Sequence, residues 1–150
     1  LSSAADRAEV LKRIGIAQKV FSKAQWRDAL AQSQRVNRSV GDVLVAQRVI
    51  SAEQLRALDR AVSYRMGRNE DKELARVILD SSYADEAAVE AAMEQQKEIY
   101  NSSGKLARLC DLLLDRRALS ESQHIAARKI LDIAKATERP PTNPDDEASD

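Results

Sequence analysis

Three short stretches decide the fold: Phe21-Ser22-Lys23-Ala24-Gln25-Trp26, Ile50-Ser51-Ala52-Glu53-Gln54-Leu55 and Leu119-Ser120-Glu121-Ser122-Gln123-His124. Each reads as an apolar residue, a Ser cap, a Gln three positions on and a packing residue after it. A Ser at the N-cap accepts from the amide three residues later, and the Gln reaches back to the Ser amide, so two orphan donors of a helix start are satisfied together. The flanking pairs Phe21/Trp26, Ile50/Leu55 and Leu119/His124 have the spacing of a hydrophobic staple. Helices therefore start at 23, 52 and 121. A fourth copy fits with one residue of slack at Tyr83-Ala84-Asp85-Glu86, with Asp85 as its cap.

The anchors Phe21, Ile50, Tyr83 and Leu119 lie 29, 33 and 36 residues apart, which is the period of a helical repeat. A short apolar segment precedes each anchor and a longer amphipathic one follows. Leu55, Leu58, Val62 and Met66 recur at helical spacing in the second copy, as do Val89, Ala92, Met93 and Gln96 in the third. The expected fold is all-α: four stacked helical hairpins built from eight helices near 4–18, 23–36, 39–48, 52–66, 71–80, 85–100, 105–116 and 121–137. One hairpin cannot bury its own apolar face, so the units must share a core. A loop expected at Gly67-Arg68-Asn69-Glu70 would form a seam between two two-hairpin halves of a 1–137 domain.

Composition agrees with this reading. The 150 residues are 43% hydrophobic and 32% charged, too apolar for a disordered chain. Proline is confined to positions 140, 141 and 144, beside Asp145, Asp146, Glu147 and Asp150, so 138–150 is expected to be a disordered acidic tail. The 24 basic and 24 acidic residues balance, and with few aromatics this argues against a nucleic-acid binder. No apolar run approaches the length of a membrane span. A single Cys and the lack of a signal-peptide pattern make a reducing cytoplasm the expected location. The chain does not open on Met, which suggests a trimmed chain or a piece of a longer one.

The runs Val20 to Gln32 and Val40-Gly41-Asp42-Val43-Leu44-Val45 through Ile50-Ser51-Ala52-Glu53-Gln54-Leu55 resemble the helical N-terminal domain of type II secretion and type IV pilus assembly ATPases. Related repeats are attached to bacterial signalling proteins. The family pattern is leucine-glycine, two residues, leucine-valine, then glycine, hydrophobic, isoleucine-threonine, leucine, alanine-leucine, glutamine. Some members bind cyclic di-guanylate through an Arg-Leu-Gly start, a second Gly seven residues later and a closing Gln. The resemblance implies nucleotide contacts at Gly41, Arg108 and Leu109, but no copy here is complete. Ser39 and Cys110 stand where an Arg and a Gly belong, Val62 replaces the Gln of the second copy, and the third keeps a Gln at 95 or 96. Arg48 and Arg117 replace the second Gly, and an Arg side chain obstructs both a tight turn and close approach of a ligand.

No catalytic constellation is present in the sequence, and the chain reads as a non-enzyme without cofactor or metal. His124 reads as a half-buried staple residue and Cys110 as a small core residue. The stripe Glu86, Glu90, Glu94 reads as a solvated helix face. Charge is uneven along the chain: residues 27–68 hold eight Arg against four acids, and residues 69–98 hold nine acids against three bases. The expected function is a protein-protein interaction or regulatory adaptor domain. Arg56, Arg60 and Arg65 are the expected contact residues: 56 and 60 lie one turn apart on the face opposite Leu55, Leu58 and Val62, and 65 lies near the helix end. The alternatives are a cyclic di-guanylate receptor and a self-assembling element that forms a homo-oligomer.

Overall fold

The computed structural model describes residues 4–138. Seven helices are present among them: α1 (Ala4–Ala17), α2 (Lys23–Val36), α3 (Val40–Ala46), α4 (Ala52–Asp80), α5 (Glu86–Ser103), α6 (Leu109–Asp115) and α7 (Glu121–Glu138), and no strand. They form four helical hairpins, α1/α2, α3 with the first part of α4, the second part of α4 with α5, and α6/α7. Beyond Glu138, the expected tail lies outside the described residues.

All four expected caps form. The Ser22, Ser51 and Ser120 hydroxyls accept from the amides of Gln25, Gln54 and Gln123 at 3.0–3.1 Å, and each Gln accepts from the Ser amide at 2.8–3.0 Å. Asp85 accepts from the Ala88 amide at 2.8 Å. The turn entering each cap is the same in every hairpin. Lys19, Arg48, Ser82 and Arg117 sit at φ of 58–60°. Each donates its amide three residues back, to Ile16, Val45, Leu79 and Leu114, and the residue after it donates five back, to Gly15, Leu44, Ile78 and Leu113. This pairing is a Schellman motif, which satisfies the last carbonyls of a helix while turning the chain. The register removes the slack allowed in the third copy: Ala84, not Tyr83, takes the anchor position. The turns also form with Arg at 48 and 117, so Arg does not prevent the tight turn.

Gly67 does not break the chain. The expected helices 52–66 and 71–80 are one helix, α4, and the expected loop at 67–70 is helical. Glycine serves approach here: a Cβ on Gly67 would lie 2.5 Å from Leu106 Cδ2. Helix α6 begins at Leu109 rather than 105, for a reason found in its polar surroundings below.

The chain divides into two compact units. Unit 1 takes described residues 4–69 and 98–106, and unit 2 takes 70–97 and 107–138. The core of unit 1 gathers Leu11, Ile14, Phe21, Trp26, Leu44 and Leu58 with their neighbours. Phe21 and Trp26 stack with ring centroids 5.5 Å apart, so the first staple is an aromatic pair. The Phe21 ring lies against the backbone of Gly15, where a Cβ would overlap Cζ. Unit 2 buries Leu74, Ile78, Val89, Leu109, Leu113 and Leu131. With Ala92 and Ala127 fully covered, its interior is aliphatic.

Candidate functional site

The most organised polar chemistry lies inside unit 2. Asp71 on α4 is 1% exposed, so its charge needs full compensation. Arg108 Nη2 donates to Asp71 Oδ1 at 2.9 Å, and Nε donates to both oxygens at 3.2 Å. Gln96 Nε2 donates to Oδ2 at 2.7 Å, and the Leu109 amide donates there at 3.0 Å. Gln96 also donates to the Ala107 carbonyl at 2.7 Å. Glu70, one residue earlier, accepts from Arg108 at 2.7 Å and from Arg128 at 3.1 Å. Burial alone would raise the Glu70 carboxyl, but the bonds and charges of Arg108 and Arg128 outweigh it and hold the group below its ordinary range. The bonds to Asp71 raise the Arg108 guanidinium further above its already high value, against the opposing effect of burial.

This cluster explains where α6 starts. Arg108 is its N-cap but makes no capping bond with its own side chain. The carboxylate of Asp71, distant in sequence, accepts from the first helical amide instead. Residues 105–108 consequently stay outside the helix, with Arg108 extended, held through the Ala107 carbonyl and the Arg108 side chain.

The nucleotide residues implied by the resemblance have structural partners in this arrangement. Arg108 is engaged by two carboxylates, and Leu109 is fully buried. Gln96, not Gln95, is the buried glutamine of the third copy. Gly41 is buried against α4, where a Cβ would lie 2.7 Å from Leu55 Cδ1. Gly41 belongs to unit 1 and Arg108 to unit 2. Asp71 was not singled out by the sequence reading. The available signal was its place at i, i+3, i+4, i+7 with Leu74, Ala75 and Ile78, which puts an acid on a buried stripe.

The four Schellman turns fix an internal register. Lys19 and Ser82 are 63 residues apart, and Arg48 and Arg117 are 69 apart. At those offsets Ala8 corresponds to Asp71, Ser33 to Gln96 and Ser39 to Arg108. Arg7 and Asp59 correspond to Glu70 and Arg128 with the charges exchanged. Buried positions follow the same register, as Val40, Leu44, Ile50 and Val62 match Leu109, Leu113, Leu119 and Leu131. Small side chains in unit 1 thus stand where large polar ones fill unit 2, and a cavity of about 400 Å³ lies there, lined in part by Ala8, Ser33, Ser39 and Gly41.

Arg56, Arg60 and Arg65 are exposed on α4 while Leu58 and Val62 are buried. Among the described residues no ion pair engages these three arginines. His124 is half-buried after Leu119. Cys110 is a buried free thiol, pushed up to about 11 mainly by that burial, which keeps it protonated and unreactive near neutral pH. Glu86, Glu90 and Glu94 are exposed along α5. Among the described residues no three His, Cys, Asp or Glu gather as metal donors, and no helix is long and apolar enough to cross a membrane. Every buried side-chain nitrogen or oxygen among them has a hydrogen-bond partner.

Fold and site together define a tandem helical-hairpin protein in which one unit holds a bonded polar cluster and the other a cavity beside its apolar core. No protein-family model, curated protein or solved structure matches the chain.

Proposed function

We propose that this protein is a non-catalytic regulatory adaptor that engages an acidic surface of another protein through the unit 1 part of α4. The observation that carries the reading is the contrast among arginines. Arg108 and Arg128 are held by Glu70 and Asp71, whereas Arg56, Arg60 and Arg65 are exposed without an ion-pair partner among the described residues. Arg56 and Arg60 are one turn apart and share a face. Guanidinium forks of this kind recognise carboxylates bidentately and are favoured at interfaces.

The test is an association-rate measurement. Proteins held by the immobilised chain at low salt are identified, and each purified partner is measured against wild type and Arg56→Glu/Arg60→Glu. Charge steering acts mainly on association, by about tenfold or more at low salt, and fades as salt screens it. Circular dichroism should show an unchanged helical fold. Equal association of wild type and variant at low salt would remove this surface and the proposal with it.

A further inference from the structure

The unit 1 cavity is a difference of content within a repeated scaffold. In unit 2 the corresponding positions bring together a carboxylate, an amide and a guanidinium, bonded to one another. In unit 1 the counterparts are Ala8, Ser33 and Ser39, and about 400 Å³ is left open. Apolar cavities of about 150 Å³ already accept a benzene-sized guest. Space here is therefore sufficient for a ring and a short chain.

The lining sets the chemistry of the guest. Leu11, Leu30, Val40, Leu55 and Val62 supply an aliphatic wall. Charged groups on the lining are Arg7, Asp42 and Asp59, with both acids exposed to solvent. Arg7 donates to the Ser63 hydroxyl at 3.2 Å. The Ser33 hydroxyl donates to the Leu30 carbonyl at 2.7 Å, so its proton is already committed. Two acids against one base leave a net negative rim. Partial desolvation at the rim, and secondarily the charge of Asp42, raise the Asp59 carboxyl despite the opposing attraction of Arg7. A cation at the rim offsets the repulsion between the two carboxylates, whereas an anionic head meets repulsion from both.

We propose that the unit 1 cavity binds a small monocationic amphiphile, its apolar body against the Leu11, Val40 and Val62 wall and its ammonium group between Asp42 and Asp59. Phenethylamine is the probe, with 2-phenylethanol and 3-phenylpropionate as neutral and anionic counterparts of similar size. Each is titrated into the full chain by calorimetry and by amide NMR. The amine should bind saturably, about tenfold more tightly than the alcohol, a ratio equal to one ordinary charge contact; the acid should show no saturable binding. Shifts should fall on α1, α2, α3 and residues 52–69 of α4. Asp59→Asn should abolish the preference for amine over alcohol while alcohol binding persists. Ala8→Leu, which fills the cavity, should eliminate both. If Ala8→Leu does not fold, Asp59→Asn decides alone through the amine-to-alcohol ratio. No saturable amine binding, equal binding of amine and acid, or an unchanged preference in Asp59→Asn would overturn the proposal.

Discussion

Arg48 and Arg117 each hold a left-handed backbone, at φ of 60° and 58°, in the middle of a Schellman turn. A Cβ in that region crowds the neighbouring carbonyl at a cost of about 1–2 kcal/mol, partly offset because Gly would lose more backbone entropy on folding. Both side chains are exposed, so nothing in the core is disturbed by their removal. Arg48→Gly and Arg117→Gly should each stabilise the fold by about 0.5–1 kcal/mol in urea unfolding. A decrease in stability would contradict the turn geometry. Opposite in sign, Ser22→Ala and Ser51→Ala each remove a capping hydroxyl and should cost about 0.5–2 kcal/mol in the same measurement.

The helices are joined by contacts that each need a particular side chain to be small or charged. Gly15 has no room for a Cβ because the Phe21 ring fills the space. Gly15→Ala should therefore destabilise despite the better helix propensity of Ala, by about 1–3 kcal/mol as overpacking, read from thermal unfolding. In unit 2, Asp71 joins α4, α5 and the start of α6. Asp71→Ala leaves the Leu109 amide without its acceptor, while Gln96 keeps the Ala107 carbonyl and Arg108 keeps Glu70, and should cost about 1–3 kcal/mol, the range for stranding a buried donor. Glu70 adds a pH dependence. Its folded carboxyl titrates below its ordinary value of 4.5, so its contribution is present above that value and is lost as pH falls through the lowered one. Glu70→Gln should show a smaller fall in stability on acidification than wild type; identical acid profiles would exclude this contribution.

On the scale of the whole chain, four copies of one hairpin are used in two ways, with a bonded polar cluster in one unit and a cavity in the other. Calorimetry with cyclic di-guanylate is expected to show no micromolar binding, because Arg108 is held by Asp71 and Glu70; a sub-micromolar isotherm would restore the receptor reading. The sequence by itself determined the all-α class, the four capped helix starts and the repeat, since caps and staples are local bonds between residues three to five apart. It also determined that Leu58 and Val62 face inward and Arg56 and Arg60 outward, through helical periodicity. Only the tertiary structure decided that Gly67 sits within a continuous helix, that Asp71 caps a helix 38 residues away, and that Ala8, Ser33 and Ser39 leave a cavity. Those outcomes depend on which distant side chain meets a glycine or an open amide, and no spacing along the chain encodes that meeting.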